Sequence, residues 1–141
     1  MTRVIKCWLM WAARWPICIK RAATGMADRA ESIDFEDFLK VRLVVGTVVS
    51  AEVFAGARKP AFILHVDFGP AIGTLKSSAQ ITELYAPDAL VGRQVMAVIN
   101  FPPKQIGPIQ SQCLVTGFHD SAGRIALAVP DTPVPNGTRL L

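Results

Sequence analysis

The stretch that decides the fold is Phe62-Ile63-Leu64-His65-Val66-Asp67-Phe68. Its even-numbered residues are all large and apolar, and two of the three residues between them are polar. Successive side chains of a β-strand point to opposite faces, so this alternation predicts a half-buried strand with one face in a core.

Further apolar runs rich in Val, Ile, Leu and Phe surround this strand, separated by glycines and prolines. They predict four more strands: Arg42–Val53, Gln94–Phe101, Cys113–Phe118 and Arg124–Val129. Gly46 lies inside the first run and predicts a bulge or a sharp coil there. Five strands without a long amphipathic helix favour an all-β fold, a five-stranded Greek-key barrel of the OB type with extended flanking segments.

A short amphipathic helix is predicted before the first strand, from Ser32 to about Lys40. Ser32 would serve as N-cap, acids crowd the first turns, and Phe35 and Phe38 belong to an apolar side. Such a helix would cap an open end of the barrel or help to build an interface. Together with Val134, which lies between prolines near the other end of the chain, it predicts a homodimer.

The positive charge of the chain is concentrated at its start. Residues 1–25 hold five of the 15 bases and none of the 11 acids, so residues 26–141 carry a net charge of −1. We interpret residues 1–25 as a leader outside the fold. It is either an upstream extension before Met26 or a targeting or membrane-surface segment. A linker over 26–31 and one domain over 32–141 then follow.

Composition narrows the class of protein. The chain is 51% apolar and 18% charged, which excludes a disordered polyelectrolyte, and it has no apolar run long enough to span a membrane. Cysteines at positions 7, 18 and 113 form neither a disulfide framework nor a metal knuckle. We expect a cytoplasmic protein in a reducing compartment.

Enzyme chemistry has little support in the sequence. His65 and His119 have no Cys or His at ligand spacing, and Ser77-Ser78 lacks the glycines of a nucleophile elbow. Cys113 opens an apolar strand, where a thiol is usually inert. No nucleotide-binding glycine motif occurs. We therefore predict no catalytic residue, metal or cofactor.

Polar and basic residues concentrate in the predicted connections. The candidate nucleic-acid-binding residues are Arg58, Lys59, Lys76, Ser77, Ser78, Gln80, Asn100, Lys104, Gln105, Ser111 and Gln112. OB barrels bind oligonucleotides with such loops and the face between them, with cations on phosphates and amides or hydroxyls on backbone or base edges.

Two other interpretations of the same sequence stay open. The polar connections can simply be solvated loops. The apolar residues can instead leave a groove for a peptide or a second subunit, for which the candidates are Phe35, Phe38, Phe101 and Val134.

Several motifs resemble the CsaA family, in order and without a large gap over nearly all of residues 32–141. They are Gly46–Glu52, Ala57–Phe62, Val66–Gly69, Ser77–Thr82, Val91–Val95, Asn100–Ile106 and Pro133–Gly137. This family belongs to the tRNA-binding OB domains that are also appended to some methionyl- and tyrosyl-tRNA synthetases. The resemblance implies a non-enzymatic homodimer, built with segments that flank the barrel. It also implies peptide-binding grooves, an export-chaperone activity and tRNA binding.

The chain departs from the family pattern at a few positions. Arg42-Leu43-Val44-Val45-Gly46 stands where the family usually has Asp-Ile-Arg-Val-Gly, and Ser111-Gln112 stands for Ser-Glu. Ile63 and His65 occupy positions where the family commonly has lysines. Fewer cations weaken nucleic-acid affinity, so we expect binding of unfolded or exported client proteins to lead and tRNA binding to be the alternative.

Overall fold

A computed structural model describes residues 30–141. The predicted leader and most of the predicted linker lie outside the described residues, and the predicted domain boundary at residue 32 stays a prediction. The chain divides after Phe38 into two units, and the barrel lies in the second unit, Leu39–Leu141.

Strands dominate the described part of the chain. The strands are β1 (Leu43–Val53), β2 (Phe62–Asp67), β3 (Thr74–Ala79), β4 (Gln94–Val98), β5 (Lys104–Ile106), β6 (Ile109–Ser111), β7 (Leu114–Val115), β8 (Gly117–His119) and β9 (Ile125–Leu127). The helices are α1 (Phe35–Lys40) and α2 (Pro87–Leu90).

Five antiparallel strands form the main sheet in the order β3-β2-β1-β4-β7, and β5–β6 and β8–β9 form two hairpins. The sheet curls until β3 meets the segment before β7. There the Gln112 amide N–H donates to the Lys76 carbonyl at 2.7 Å, and the Lys76 N–H donates to Gln112 Oε1 at 3.1 Å. The result is a nearly closed five-stranded barrel, which confirms the predicted all-β, OB-like fold.

Strand β2 confirms the alternation that predicted it. Phe62, Leu64, Val66 and Phe68 are buried in the core, whereas Ile63, His65 and Asp67 are half-buried on the other face. The core of the barrel also takes in residues from β1, α2, β4 and β9, namely Val44, Val48, Leu90, Val95, Ala97 and Leu127.

Strand β1 divides its pairing between two neighbours. Its first half, Leu43 to Thr47, pairs with β4, and its second half, Thr47 to Val53, pairs with β2. The register with β2 shifts between Val48 and Ser50, so the bulge predicted from Gly46 occurs three residues later. Gly46 is needed for a different reason, because a Cβ there would lie 2.6 Å from Phe68 Cδ1.

The C-terminal segment fills the edge of β1 that β2 leaves unpaired. The Gly137 N–H donates to the Val45 carbonyl at 2.8 Å, and the Val45 N–H donates to the Thr138 carbonyl at 2.9 Å. Upstream, the Gln94 side chain bonds both backbone groups of Val134, and Thr47 Oγ donates to Asn136 Oδ1 at 2.8 Å. An edge strand left open invites pairing with other chains, so this segment protects β1.

Strand β3 and the β5–β6 hairpin were missed as strands. Lys76, Ser77 and Ser78 belong to β3, and Lys104, Gln105 and Ser111 belong to the β5–β6 hairpin, although the sequence places all six in connections. Their polar composition hides the strand pattern. Backbone pairing with β2 determines the conformation of β3, and a polar sequence does not reveal this pairing.

The helices also differ from expectation. The first helical N–H groups, of Asp37 and Phe38, donate to the Asp34 carbonyl at 3.0 and 3.3 Å. The helix therefore begins later than an N-cap at Ser32 predicts. Helix α2, with Pro87 in its first turn, was not predicted because four residues give no periodicity. Within residues 30–141, neither helix has the length and apolar character needed to cross a membrane.

Candidate nucleic-acid and peptide interfaces

Two connections meet at one end of the barrel, which we call the basic end: the β1–β2 turn (54–61) and the β5–β6 hairpin (104–111). A Cβ on Gly107 would lie 3.5 Å from the Gly56 carbonyl oxygen, so the two segments are in contact. They contain Arg58, Lys59 and Lys104 and no acid. Arg58 and Lys59 are exposed, and partial burial holds the pKa of Lys104 below its ordinary value.

A line of polar side chains crosses the outer face of the sheet, and we call it the polar row: Ser50, His65, Lys76 and Gln112. Ser50 pairs with His65 across β1–β2, and His65 pairs with Lys76 across β2–β3, so their side chains share a face. Ser50 Oγ and His65 Nδ1 are 2.8 Å apart and share a hydrogen bond. The alternation in β2 predicted that His65 faces away from the core. The sequence did not predict which residues would lie next to it.

Ser77 and Ser111 need a correction as candidate nucleic-acid contacts. Both are 1% exposed, and both hydroxyls donate to the Cys113 carbonyl, at 2.9 and 3.2 Å. Ser111 Oγ also accepts from the Ser78 N–H at 3.3 Å. A buried hydroxyl needs a partner, and these two find theirs in the seam between β3 and β6–β7. They therefore hold the barrel closed and do not reach its surface.

Cys113 lies at the same seam and is buried. Burial raises the pKa of its thiol to about 12, and a hydrogen bond with Ser77 lowers this pKa by a smaller amount. A thiol that stays protonated at neutral pH is a poor nucleophile, as the sequence interpretation expected. Among residues 30–141, no group of three His, Cys, Asp or Glu side chains could hold a metal ion.

The remaining polar candidates divide between the two ends of β1. Asn100 lies near the start of β1, where its Oδ1 accepts from the Arg42 N–H at 3.0 Å and its Nδ2 donates to the Lys40 carbonyl at 2.7 Å. Gln105 is part of the β5–β6 hairpin, where its Nε2 donates to the Gly107 carbonyl at 2.7 Å. Gln80 is exposed directly after β3. The structure therefore does not bring Asn100 together with the basic end.

The apolar candidates also divide into two sets. In α1, Phe35 is 69% exposed and Phe38 36% exposed, with ring centroids 6.3 Å apart, and no residue of the helix is buried. In the barrel unit, Phe101 and Val134 are half-buried. The sequence did not single out Phe118, which is 71% exposed on the β8–β9 hairpin.

Residues 43–139 match the tRNA binding domain family. The chain is 33% identical over 121 residues to a methionine–tRNA ligase of Porphyromonas gingivalis, and the match covers 86% of this chain. It spans only 17% of the ligase, so the likeness concerns an appended domain and not the catalytic part.

Two solved structures match over nearly their own whole length. The crystal structure of the chaperone CsaA from Bacillus anthracis is 46% identical with a TM-score of 0.73, over 78% of this chain and 99% of that chain. The CsaA chaperone protein from Picrophilus torridus is 40% identical with the same TM-score, over 78% of this chain and 100% of that chain. The chain belongs to the tRNA binding domain family, and within it to the CsaA proteins.

Proposed function

We propose that this protein is a CsaA-like chaperone of the cytoplasm that binds unfolded or preprotein segments as a homodimer and assists protein export. The observation that carries the proposal is the exposed aromatic side of α1, with Phe35 and Phe38 next to each other. The likeness of this chain to two proteins named as chaperones, over nearly the whole length of each of them, supports the same function.

The short length and the exposure of helix α1 indicate that it needs a partner. A helix of six residues is too short to be stable by itself in water, and none of its residues is buried. Burial of a large apolar side chain such as Phe35 contributes about 1.5–3 kcal/mol. A second copy of the chain presents the same apolar surface, so symmetric pairing can cover both helices.

The test replaces Phe35 and Phe38 with serine in the full chain. We expect sedimentation to show a dimer for the wild type and a monomer for the double variant. We also expect the variant to lose most of its ability, at stoichiometric ratio and without nucleotide, to suppress aggregation of an unfolded client. Phe118→Ser is the matched control, because it removes an equally exposed ring from the barrel unit.

A wild type that sediments as a monomer at micromolar concentration would contradict the dimer. A wild type that does not suppress aggregation would contradict the chaperone function. If Phe118→Ser is as damaging as the double variant, the activity depends on exposed apolar surface in general and not on pairing through α1.

tRNA binding is a second candidate function, and the basic end favours it. Two segments distant in sequence meet there with three bases and no acid, although residues 26–141 carry a net charge of −1. Cations on two adjoining segments of an OB barrel are suited to the phosphates of an RNA backbone, and two of the three here, Arg58 and Lys59, are exposed.

The tRNA test neutralises the basic end with Arg58→Gln and Lys104→Gln together. Loss of two phosphate contacts should weaken tRNA binding by about tenfold near physiological salt and flatten the salt dependence by about 1.5 in log–log slope. Fluorescence anisotropy over a salt series measures both. Arg93→Gln removes the same kind of charge outside the two segments and should change the affinity by less than about twofold.

A parent protein without salt-dependent tRNA binding would remove this candidate function. A loss of binding free energy from Arg93→Gln that is half of the loss from the double variant would instead indicate that only the overall charge matters, because Arg93→Gln removes one charge and the double variant removes two.

A further inference from the structure

We infer that His65 and Lys76 form a phosphate-binding pair on the outer face of the sheet, and that RNA binds to this pair more tightly when His65 carries a proton. The inference rests on the tRNA-binding candidate function and adds a site and a regulation that the basic end does not provide.

The geometry of the polar row carries the first step. His65 and Lys76 are direct cross-strand partners, so their side chains leave the same face of adjacent strands. Both are half-buried, which limits their motion without hiding them from a ligand. Ser50 Oγ lies 2.8 Å from His65 Nδ1 and fixes the orientation of the ring.

The second step concerns the protons of the imidazole. When His65 is charged, both ring nitrogens carry a proton. Nδ1–H then donates to Ser50 Oγ, and Nε2–H is the donor for a phosphate oxygen. Lys76 Nζ is the second donor, and hydrogen bonds between charged donors and phosphate are the strong ones.

The third step concerns the charges that face His65. Strand β1 contributes Ser50 and Glu52 to this face, and β2 itself contributes Asp67. Strand β3 contributes Lys76, and Gln112 lies next to Lys76. With a neutral His65 these groups sum to −1, because two carboxylates outweigh one ammonium. One proton on His65 brings the sum to zero and removes the net repulsion of a phosphate. Histidine is the side chain whose charge ordinarily changes nearest to neutral pH.

The experiment measures tRNA affinity of the full-length protein by anisotropy at about pH 8 and about pH 5.5, at constant salt. We expect the wild type to bind roughly fivefold tighter at the lower pH. His65→Gln keeps a hydrogen-bonding side chain that does not titrate, so we expect its affinity to change by less than about twofold. His119→Gln is the matched control and should keep the full response, because His119 lies on the β8–β9 hairpin.

A second measurement needs no variant. In an NMR titration of the wild type, added tRNA should raise the pH at which the His65 ring takes up its proton and leave that of His119 unchanged. This follows because a ligand that prefers the charged form must also stabilise it.

The outcomes separate the inference from the function on which it rests. Binding with a pH response that His65→Gln retains would overturn the inference and leave tRNA binding intact. An unchanged His65 titration in the presence of bound tRNA would do the same. Absence of binding at both pH values would overturn tRNA binding and the inference with it.

Discussion

The two ends of β1 use their polar residues differently. Near the start of the strand, Asn100 bonds the backbone at Lys40 and Arg42, and the Arg139 guanidinium bonds the Leu39 and Val41 carbonyls. We call this the tied end. At the basic end, Arg58 and Lys59 are exposed in a turn. Polar residues of similar type therefore serve the fold at one end and face solvent at the other.

Chain connectivity explains the difference. The basic end is built on a hairpin in which β1 runs directly into β2, so its strands are already held together. At the tied end, the chain segments come from three separate parts of the sequence: residues 39–45, residues 94–100 and residues 134–140. Backbone pairing joins these segments, and polar side chains add further hydrogen bonds between them, because no turn connects them.

The largest effect is expected at the tied end from Gly137→Ala. Gly137 has a φ of +87°, and a Cβ there would lie 2.8 Å from the Phe68 carbonyl oxygen. Strain and the clash with the backbone together should lower the free energy of unfolding by about 3 kcal/mol. Gly123→Ala is the matched control: its φ is +81°, but nothing lies within 4 Å of a Cβ, so only the strain remains. Equal losses in urea unfolding would contradict close packing at Gly137.

A smaller effect separates the two ends directly. Asn100→Ala removes two hydrogen bonds to the backbone and should lower the free energy of unfolding by about 1–2 kcal/mol. Arg58→Ala at the basic end should change it by less than about 0.5 kcal/mol, as for an ordinary surface substitution. Denaturant unfolding of the two variants checks this contrast, and similar losses would show that the ends do not differ.

The smallest effect concerns the seam that closes the barrel. The Cys113 pKa is raised to about 12, so the folded protein keeps the thiol proton at a pH where the unfolded chain loses it. The free energy of unfolding is therefore unaffected below the ordinary cysteine pKa and falls as the pH rises above it, by about 1 kcal/mol at about pH 9.5. Cys113→Ala should lack this contribution, so its stability should fall less between about pH 8 and pH 10. Parallel decreases for wild type and variant would contradict a protonated thiol at the seam.

The barrel could be predicted from the sequence where strands carry large alternating side chains. Strand β2 is the clearest example, because each of its inward residues is buried in the core. The family could also be identified, since its motifs run in order through the barrel. Both features depend on the order of residues within short stretches of the chain, which a single sequence shows directly.

The binding surfaces were predicted less well, because they depend on long-range contacts. Ser111 and Asn100 were both candidates by residue type, yet one hydroxyl is buried at the seam and one amide binds the backbone of a segment 58 residues away in sequence. The contact between Gly56 and Gly107 that forms the basic end has no local signature either. A polar side chain reveals its role only when the groups around it are known.

During synthesis, the segment that covers the first half of β1 is made long after β1 itself. Residues 137–140 pair with strand residues that leave the ribosome more than 90 residues earlier. Until then, the exposed N–H and C=O groups of that strand can recruit the same strand from a neighbouring nascent polypeptide. A frameshift or proteolytic cut that removes this tail would convert a discrete protein into a building block for edge-to-edge polymers.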